Sequence, residues 1–466
     1  MTEIATDTDG VADEVARRLA SGMRRRDLLR STPGQWGVLL LVLVVAALVV
    51  GLVTALSVHS RQRTLGELAT TTGPLRTAAA EFHRALSTAD MAAAVAFVAR
   101  DQDRAIDRVT YETEYETAIG EAQSALAALV AARDGNTDPQ QRNLLRTLPG
   151  RLSEYTVLME TARAYNRERE PVASTYQLLA ADAMRAHLLP AARELQEAAR
   201  ARMADAQRAA MSFPALELVL IGLLLAGLVT AQVWLRRRTN RMFNVGLLVA
   251  TAAAVAMLAW TTIGAIVSGS YAETSAEQGT EVGDALTDAR VTALAARSNE
   301  GLLLVAARDG HDTGPYRLRF AELRQRLVGR GAGTGVLQPG VADADYGGEL
   351  AVARVSTDDE ETRDQVDDAA AAAEVWLAQH DTLLSTAGIA QAGAAETLLG
   401  SPGAESFTTV DDSLSSAGDD ARQVFNDAVE DARTALTGMT FGVVLLSALT
   451  ALAAGAGVWQ RLREYR

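Results

Sequence analysis

The sequence predicts an all-α integral membrane protein with four transmembrane helices and two extracytoplasmic four-helix bundles, built by internal duplication. Three observations carry this reading. Four apolar runs of about 20 residues recur along the chain, apolar stripes at helical spacing fill the long segments between them, and a shift of 208 positions (85 onto 293) superposes the two halves.

The runs are "WGVLLLVLVVAALVVGLVTAL" (36–56), "FPALELVLIGLLLAGLVTAQVWL" (213–235), "FNVGLLVATAAAVAMLAWTTIGAIV" (243–267) and "FGVVLLSALTALAAGAGVW" (441–459). At 1.5 Å per residue each spans the roughly 30 Å hydrocarbon layer of a bilayer. A cleaved signal peptide is the alternative for the first run. The long region before it and the lack of a small-x-small site after it favour an uncleaved anchor.

Short Arg-rich flanks stay in the cytoplasm. Three flanks qualify: Arg24, Arg25, Arg26 and Arg30 before the first run; Arg236, Arg237, Arg238 and Arg241 between the second and third; and Arg461, Arg463 and Arg466 after the fourth. All three fall on one side of a four-helix topology, the side that also carries Trp36, Trp234 and Trp459 at the headgroup level. The expected plan is a cytoplasmic N-terminal stretch (1–35), a first transmembrane helix (36–57) and a first extracytoplasmic bundle (58–212). A second helix (213–235), an Arg-rich cytoplasmic turn (236–242) and a third helix (243–268) follow. A second bundle (269–437), a fourth helix (438–459) and a cytoplasmic tail (460–466) complete it. The expected location is a cell membrane, crossed several times, with both termini cytoplasmic.

The shift by 208 places "ALSTADMAAAVAFVARD" (85–101) on "ALAARSNEGLLLVAARD" (293–309) and carries the first membrane run into the third. The second half needs an insertion of about twenty residues, which the Gly-rich "GRGAGTGVLQPGVADADYGG" (329–348) can hold. Within the first segment, Tyr111, Tyr115, Ala118, Ala122, Ala125 and Leu129 mark one helical face. After the breaker "RDGNTDP", Leu145, Leu148, Leu152, Tyr155, Met159 and Ala162 mark another. In the second segment, Tyr316, Phe320, Leu323 and Leu327 repeat the pattern. Such stripes read as bundle core.

Charge separates the halves. Residues 58–212 carry 19 Arg against 20 Asp plus Glu, while 269–437 carry 12 against 30, so the acidity of the chain, −14 overall, sits in the second segment. It is either a solvated surface or a docking face for a basic partner. The acidic balance argues against nucleic-acid binding. Cys is absent, which excludes disulfides, thiolate metal sites and cysteine nucleophiles together. His59, His83, His187, His311 and His380 are scattered, and the sequence holds no H-E-x-x-H pair, phosphate loop or nucleophile elbow. No enzyme activity, catalytic residue, metal or cofactor is expected. Glu217, one turn inside the second run, reads as interfacial rather than as part of a transport path. The basic "ADEVARRLASGMRRRDLL" near the N-terminus fits either a helix lying on anionic lipid or a docking site for a cytosolic protein.

Alternation of membrane helix, helical bundle and membrane helix resembles the sensor modules of bacterial chemoreceptors and histidine kinases. The duplicated plan over 36–459, with "STADMAAAVAFVARD" and "ARSNEGLLLVAARDGHDTGPYRLRF", resembles the actinobacterial GlnX-type membrane proteins. That resemblance implies a non-catalytic relay. An amino-acid signal would pass from the extracytoplasmic solute-binding lipoprotein GlnH to the cytosolic Ser/Thr kinase PknG, with membrane lipid as the surrounding partner. It carries no catalytic motif and assigns no residue a role. One chain with two bundles can stand in for a receptor homodimer, a pseudo-dimer. For a directly bound acidic ligand, Arg100 and Arg308, equivalent at the 208 shift, are the candidate clamps; otherwise they are exposed arginines near helix ends. The competing function is a structural scaffold of the cell envelope.

Overall fold

The computed structural model describes residues 32–101, 105–132, 138–211, 214–239, 244–329, 348–385, 396, 398–400 and 402–463. Arg24, Arg25, Arg26, Arg30, Arg241 and Arg466 lie outside these residues, as do the side chains of Arg100, Arg238, Arg461 and Arg463. The described fold is all-α. The chain divides into two compact units: Met1–Thr64, Ser212–Ser270 and Ala432–Arg466 form one, and Leu65–Met211 with Tyr271–Asp431 form the other.

The first unit is built from helices α1 (Thr32–Glu67), α7 (Ala215–Thr239), α8 (Val245–Thr274) and α14 (Met439–Arg463). Four helices of the chain are long and apolar enough to cross a membrane, and each of their most apolar stretches has at most a third of its residues buried within the protein. The rest faces outward as an apolar surface, with Leu52, Leu223, Val245, Ile263, Phe441 and Leu452 each more than half exposed. That is the pattern of helices solvated by lipid, where both the inside and the outside of the bundle are apolar. The inside is held by small residues and polar ties. A Cβ on Gly246 would come within 2.5 Å of Gly457 Cα, so the backbones of α8 and α14 approach closely there. Asn244 Nδ2 donates to Gly457 O at 2.8 Å, Ser447 Oγ to Ala47 O at 3.0 Å, and Gln232 Nε2 to Thr251 Oγ1 at 2.7 Å. At one end, Glu217 and Arg61 line a common cleft, and Glu217 attracts the Arg61 charge.

The second unit holds α2 (Gly73–Asp101), α3 (Ala105–Ala131), α4 (Pro139–Arg167), α5 (Val172–Ala183) and α6 (Leu189–Met211) from the first half. From the second half come α9 (Val282–Arg308), α10 (Gly314–Val328), α11 (Glu349–Ser356), α12 (Glu360–Ser385) and α13 (Gly403–Ala435). π-helical turns at Leu68–Thr72, Met184–Leu188 and Ser275–Glu281 join α1 to α2, α5 to α6 and α8 to α9. The stripes Leu145–Ala162 and Phe320–Leu327 are buried as their spacing predicts. Starts and stops follow local chemistry. Asp138 accepts from Gln140 N at 2.7 Å ahead of Pro139, Asp359 accepts from Thr362 N at 2.7 Å, and Gly329 ends α10 at φ 81°.

Helices α10 and α11 are two pieces of one rod. A Cβ on Gly348 would lie 2.6 Å from Gly329 N, so the chain leaves at 329 and returns to the same point at 348. Both pieces pack along α9, as the unbroken α3 packs along α2. The central pair, α2 and α9, also packs together. Every residue from Ala85 to Ala99 is buried, and α9 is buried nearly all round from Val291 to Ala306. A helix buried on all sides belongs in the middle of a bundle, and the alanines let its neighbours come close.

Candidate functional site

The contact between α2 and α9 is the place where the halves meet, and its polar pairs follow one rule. Arg76 Nη2 lies 2.6 Å from Asp284 Oδ1, and Ser298 Oγ donates to Asp90 Oδ2 at 2.6 Å; each pair is separated by 208 residues. Ala94 and Leu302 share a small buried cluster with Ala181. Contacts that advance in the same direction on both helices mean that α2 and α9 run parallel and in register. Gly301 allows the closest approach, since a Cβ there would lie 2.9 Å from that of Ala94. Burial raises the Asp90 carboxyl above its ordinary range, against the pull of Arg185 at 3.9 Å and the Ser298 hydrogen bond. Arg185 sits in the π-helical turn Met184–Leu188 and lies over the Tyr316 ring, so it touches both halves.

Nearer the N-terminal ends of α2 and α9, three basic and amide side chains bridge the halves. Arg200 of α6 reaches Asp288 at 2.7 Å and Asp284 at 3.2 Å, Arg76 also donates to Thr280 O at 2.9 Å, and Gln207 Nε2 donates to Thr280 Oγ1 at 2.9 Å. Thr280 belongs to the π-helical turn Ser275–Glu281.

Further along α9 lies a buried ionic group. Arg297, 1% exposed, donates to Glu300 Oε2 at 3.0 Å and to Leu398 O at 2.5 Å, and its guanidinium stands over the Phe407 ring. Trp376 Nε1 donates to the same Glu300 oxygen at 2.8 Å, while His380 Nδ1 lies 2.8 Å from the other and stacks on Phe320. Burial alone would raise Glu300. The hydrogen bond from His380, the charge of Arg297 and the bond from Trp376 outweigh it and hold the carboxyl below its ordinary value. Burial raises the Tyr111 hydroxyl of α3, against the charge of Arg297, so the group reaches the first half.

Of the two candidate clamps, only the Arg308 side chain lies among the described residues. Arg308 is the last residue of α9, exposed and 3.6 Å from Asp309; Arg100 lies at the end of α2. Arg236 and Arg237 lie in the last turns of α7. The residues that do meet, Asp90, Ser298, Arg297, Glu300, Trp376 and His380, carry no spacing signature. Their one signal is charge on a helix whose surroundings are apolar on every side, visible in "ARSNEG" (296–301). Among the described residues, no group of three His, Asp or Glu side chains is placed to hold a metal ion.

Residues 64–208, which cover α2 to α6 almost to their last residue, match the family model of the actinobacterial sensor domain. A sensor domain is present. No curated protein and no solved structure matches the chain.

Proposed function

We propose that this chain is a non-catalytic transmembrane relay of an actinobacterial cell membrane. In this reading it reports extracytoplasmic amino-acid availability, received through a solute-binding lipoprotein, to a cytosolic Ser/Thr protein kinase. The observation that carries it is continuity: the sensor-domain helix and the first membrane-competent segment are one 62-residue helix, Val38–Ala99, and the corresponding helix of the second half runs from Val245 to Arg308. A packing change among the helices of the larger unit can then pass along helices that continue unbroken in the chain.

The second half is a diverged copy of the first. The pairs 208 residues apart support this, as do the equivalent π-helical turns at 68–72 and 275–281 and the single interruption between α10 and α11. The parallel pair α2 and α9 would then play the part of a receptor's dimer contact inside one chain. Both helical segments lie outside the membrane and both termini inside, held by the arginine flanks.

Deleting the gene and restoring it tests the relay. Amino-acid-dependent phosphorylation of the kinase's substrates should vanish in the deletion strain and return with the intact chain. A response that persists without the chain sinks the reading, and co-purification of division or secretion machinery in place of the lipoprotein and the kinase favours the scaffold. Reporter fusions at residues 150, 239 and 360 test the topology, which fails if 239 reports an extracytoplasmic position.

A further inference from the structure

Inside the sensor domain, between α2, α3, α4 and α5, lies a narrow cleft walled by Phe97 and Met159, with Tyr115 and Gln177 facing it and Glu112 and Arg163 at its edge. About 20 Å³ is open to the centre of a water-sized group, room for one water molecule or one ammonium head. Gln177 is 1% exposed and Tyr115 4%, yet among the described residues Gln177 Oε1 and Tyr115 Oη have no hydrogen-bond partner. A buried amide oxygen without a donor is costly, and it can only accept.

The charges at the edge decide which donor fits. Arg163 is already engaged by Glu160 at 2.9 Å, Glu116 at 3.2 Å and Glu112 at 3.9 Å, and its guanidinium stands over the Tyr115 ring. Three carboxylates around this one cation leave no free guanidinium for an anion, and Glu112 keeps an acceptor in the cleft lining. We propose that this cleft binds the primary ammonium group of a small molecule. Gln177 Oε1, Tyr115 Oη and the Glu112 carboxylate, all in the lining, can each accept one of its three N–H donors. The site goes beyond the relay reading: it binds within this chain, whether or not a lipoprotein or kinase is engaged.

The test is calorimetric titration of the purified full chain with methylammonium chloride. Sodium chloride, tetramethylammonium chloride and sodium acetate serve as probes of ionic strength, of charge without N–H donors, and of an anion. Methylammonium should bind saturably and the other three should not. Gln177→Met keeps the volume and removes the acceptor; it should weaken methylammonium about tenfold while leaving the ligand-free chain at least as heat-stable, because an unpaired buried oxygen has gone. Tyr115→Phe, which deletes one hydroxyl, should weaken binding by a similar factor and provides an independent check should Gln177→Met fold poorly. Methylammonium behaving like sodium chloride, acetate binding in its place, or undiminished binding in both variants overturns the proposal. An amino-acid response that persists in cells without the chain, with methylammonium binding to the purified chain intact, would count against the relay and leave the site standing.

Discussion

At Glu114 of α3, burial and the neighbouring Asp411 and Asp412 push the carboxyl up to about 7, against the pull of Arg290. Arg290 is itself held by Asp411 at 2.7 Å. A folded-state value above the unfolded one means that Glu114's contribution is full below its unfolded pKa of 4.5 and is lost as pH rises through about 7. His83 acts in the opposite sense. Burial pushes it down to about 4, against its hydrogen bond to Gln196, so its contribution is present above 6.5 and is lost as pH falls. The two oppose each other in mildly acidic solution, and the variant is therefore a clearer readout than the raw profile. Glu114→Gln, which fixes the neutral form, should raise the melting temperature of the purified chain at pH 8 and change it little at pH 5. The gain is on the order of 3 kcal/mol at most. An equal shift at both pH values would mean that Glu114 does not titrate there. Arg297 calls for a different expectation. Arg297→Met leaves Glu300 buried with one cation fewer and the Leu398 carbonyl without its donor, so a loss of about 3 kcal/mol or more should appear in thermal unfolding. Neither group was legible as a partnership in the sequence. Glu300 meets Trp376 and His380 from 76 and 80 residues away, and no local spacing records such a meeting. Arg297 and Glu300 were visible only as charges among alanines and leucines.

Among the elements, the apolar stripes were readable because burial on one face imposes a 3.6-residue period, and the spans were readable because lipid imposes length and composition. The glycines mark where α10 stops and α11 begins, and Gly348 beside Gly329 gives the reason: the two ends of the stretch meet within one backbone diameter. The π-helical turns were not readable. A π turn is an α-helix carrying one extra residue, and that residue leaves no mark in composition or charge. Its consequence is testable. Deleting Thr71 from Leu68–Thr72 should convert the turn to α-helix while the registers of α1 and α2 on either side stay fixed. Deleting Ala92 from the fully buried stretch of α2 turns every later side chain by about 100° and drives Ala94 and Phe97 out of their contacts. The first deletion should express and unfold near the parent's temperature; the second should not accumulate. Equal damage from both would mean that the turn is a fixed part of the packing. Gly279 shows how tightly one such turn is held, since a Cβ there would lie 2.7 Å from Phe425 Cβ.

For the molecule as a whole, the relay reading limits where a signal can leave. On the arginine-flank topology the cytoplasmic surface of this sequence includes the N-terminal stretch, the turn around Arg238 and the stretch "QRLREYR" (460–466). These three are the places to look for a kinase contact. Neutralising Arg236, Arg237, Arg238 and Arg241 is an ambiguous experiment, because on this topology the charges offered to the kinase also hold the loop on its side of the membrane. The N-terminal stretch separates the two roles. Deleting residues 2–22 retains Arg24, Arg25, Arg26 and Arg30, so insertion should be normal, while the amphipathic positions Val15 and Leu19 are lost. If the kinase docks there, amino-acid-dependent phosphorylation of its substrates should disappear, while membrane abundance and lipoprotein binding on the opposite side remain at parental levels. Unchanged phosphorylation at normal abundance would assign the output to the turn or the tail, and the tail could then be removed after Gln460 without touching a single membrane-competent residue.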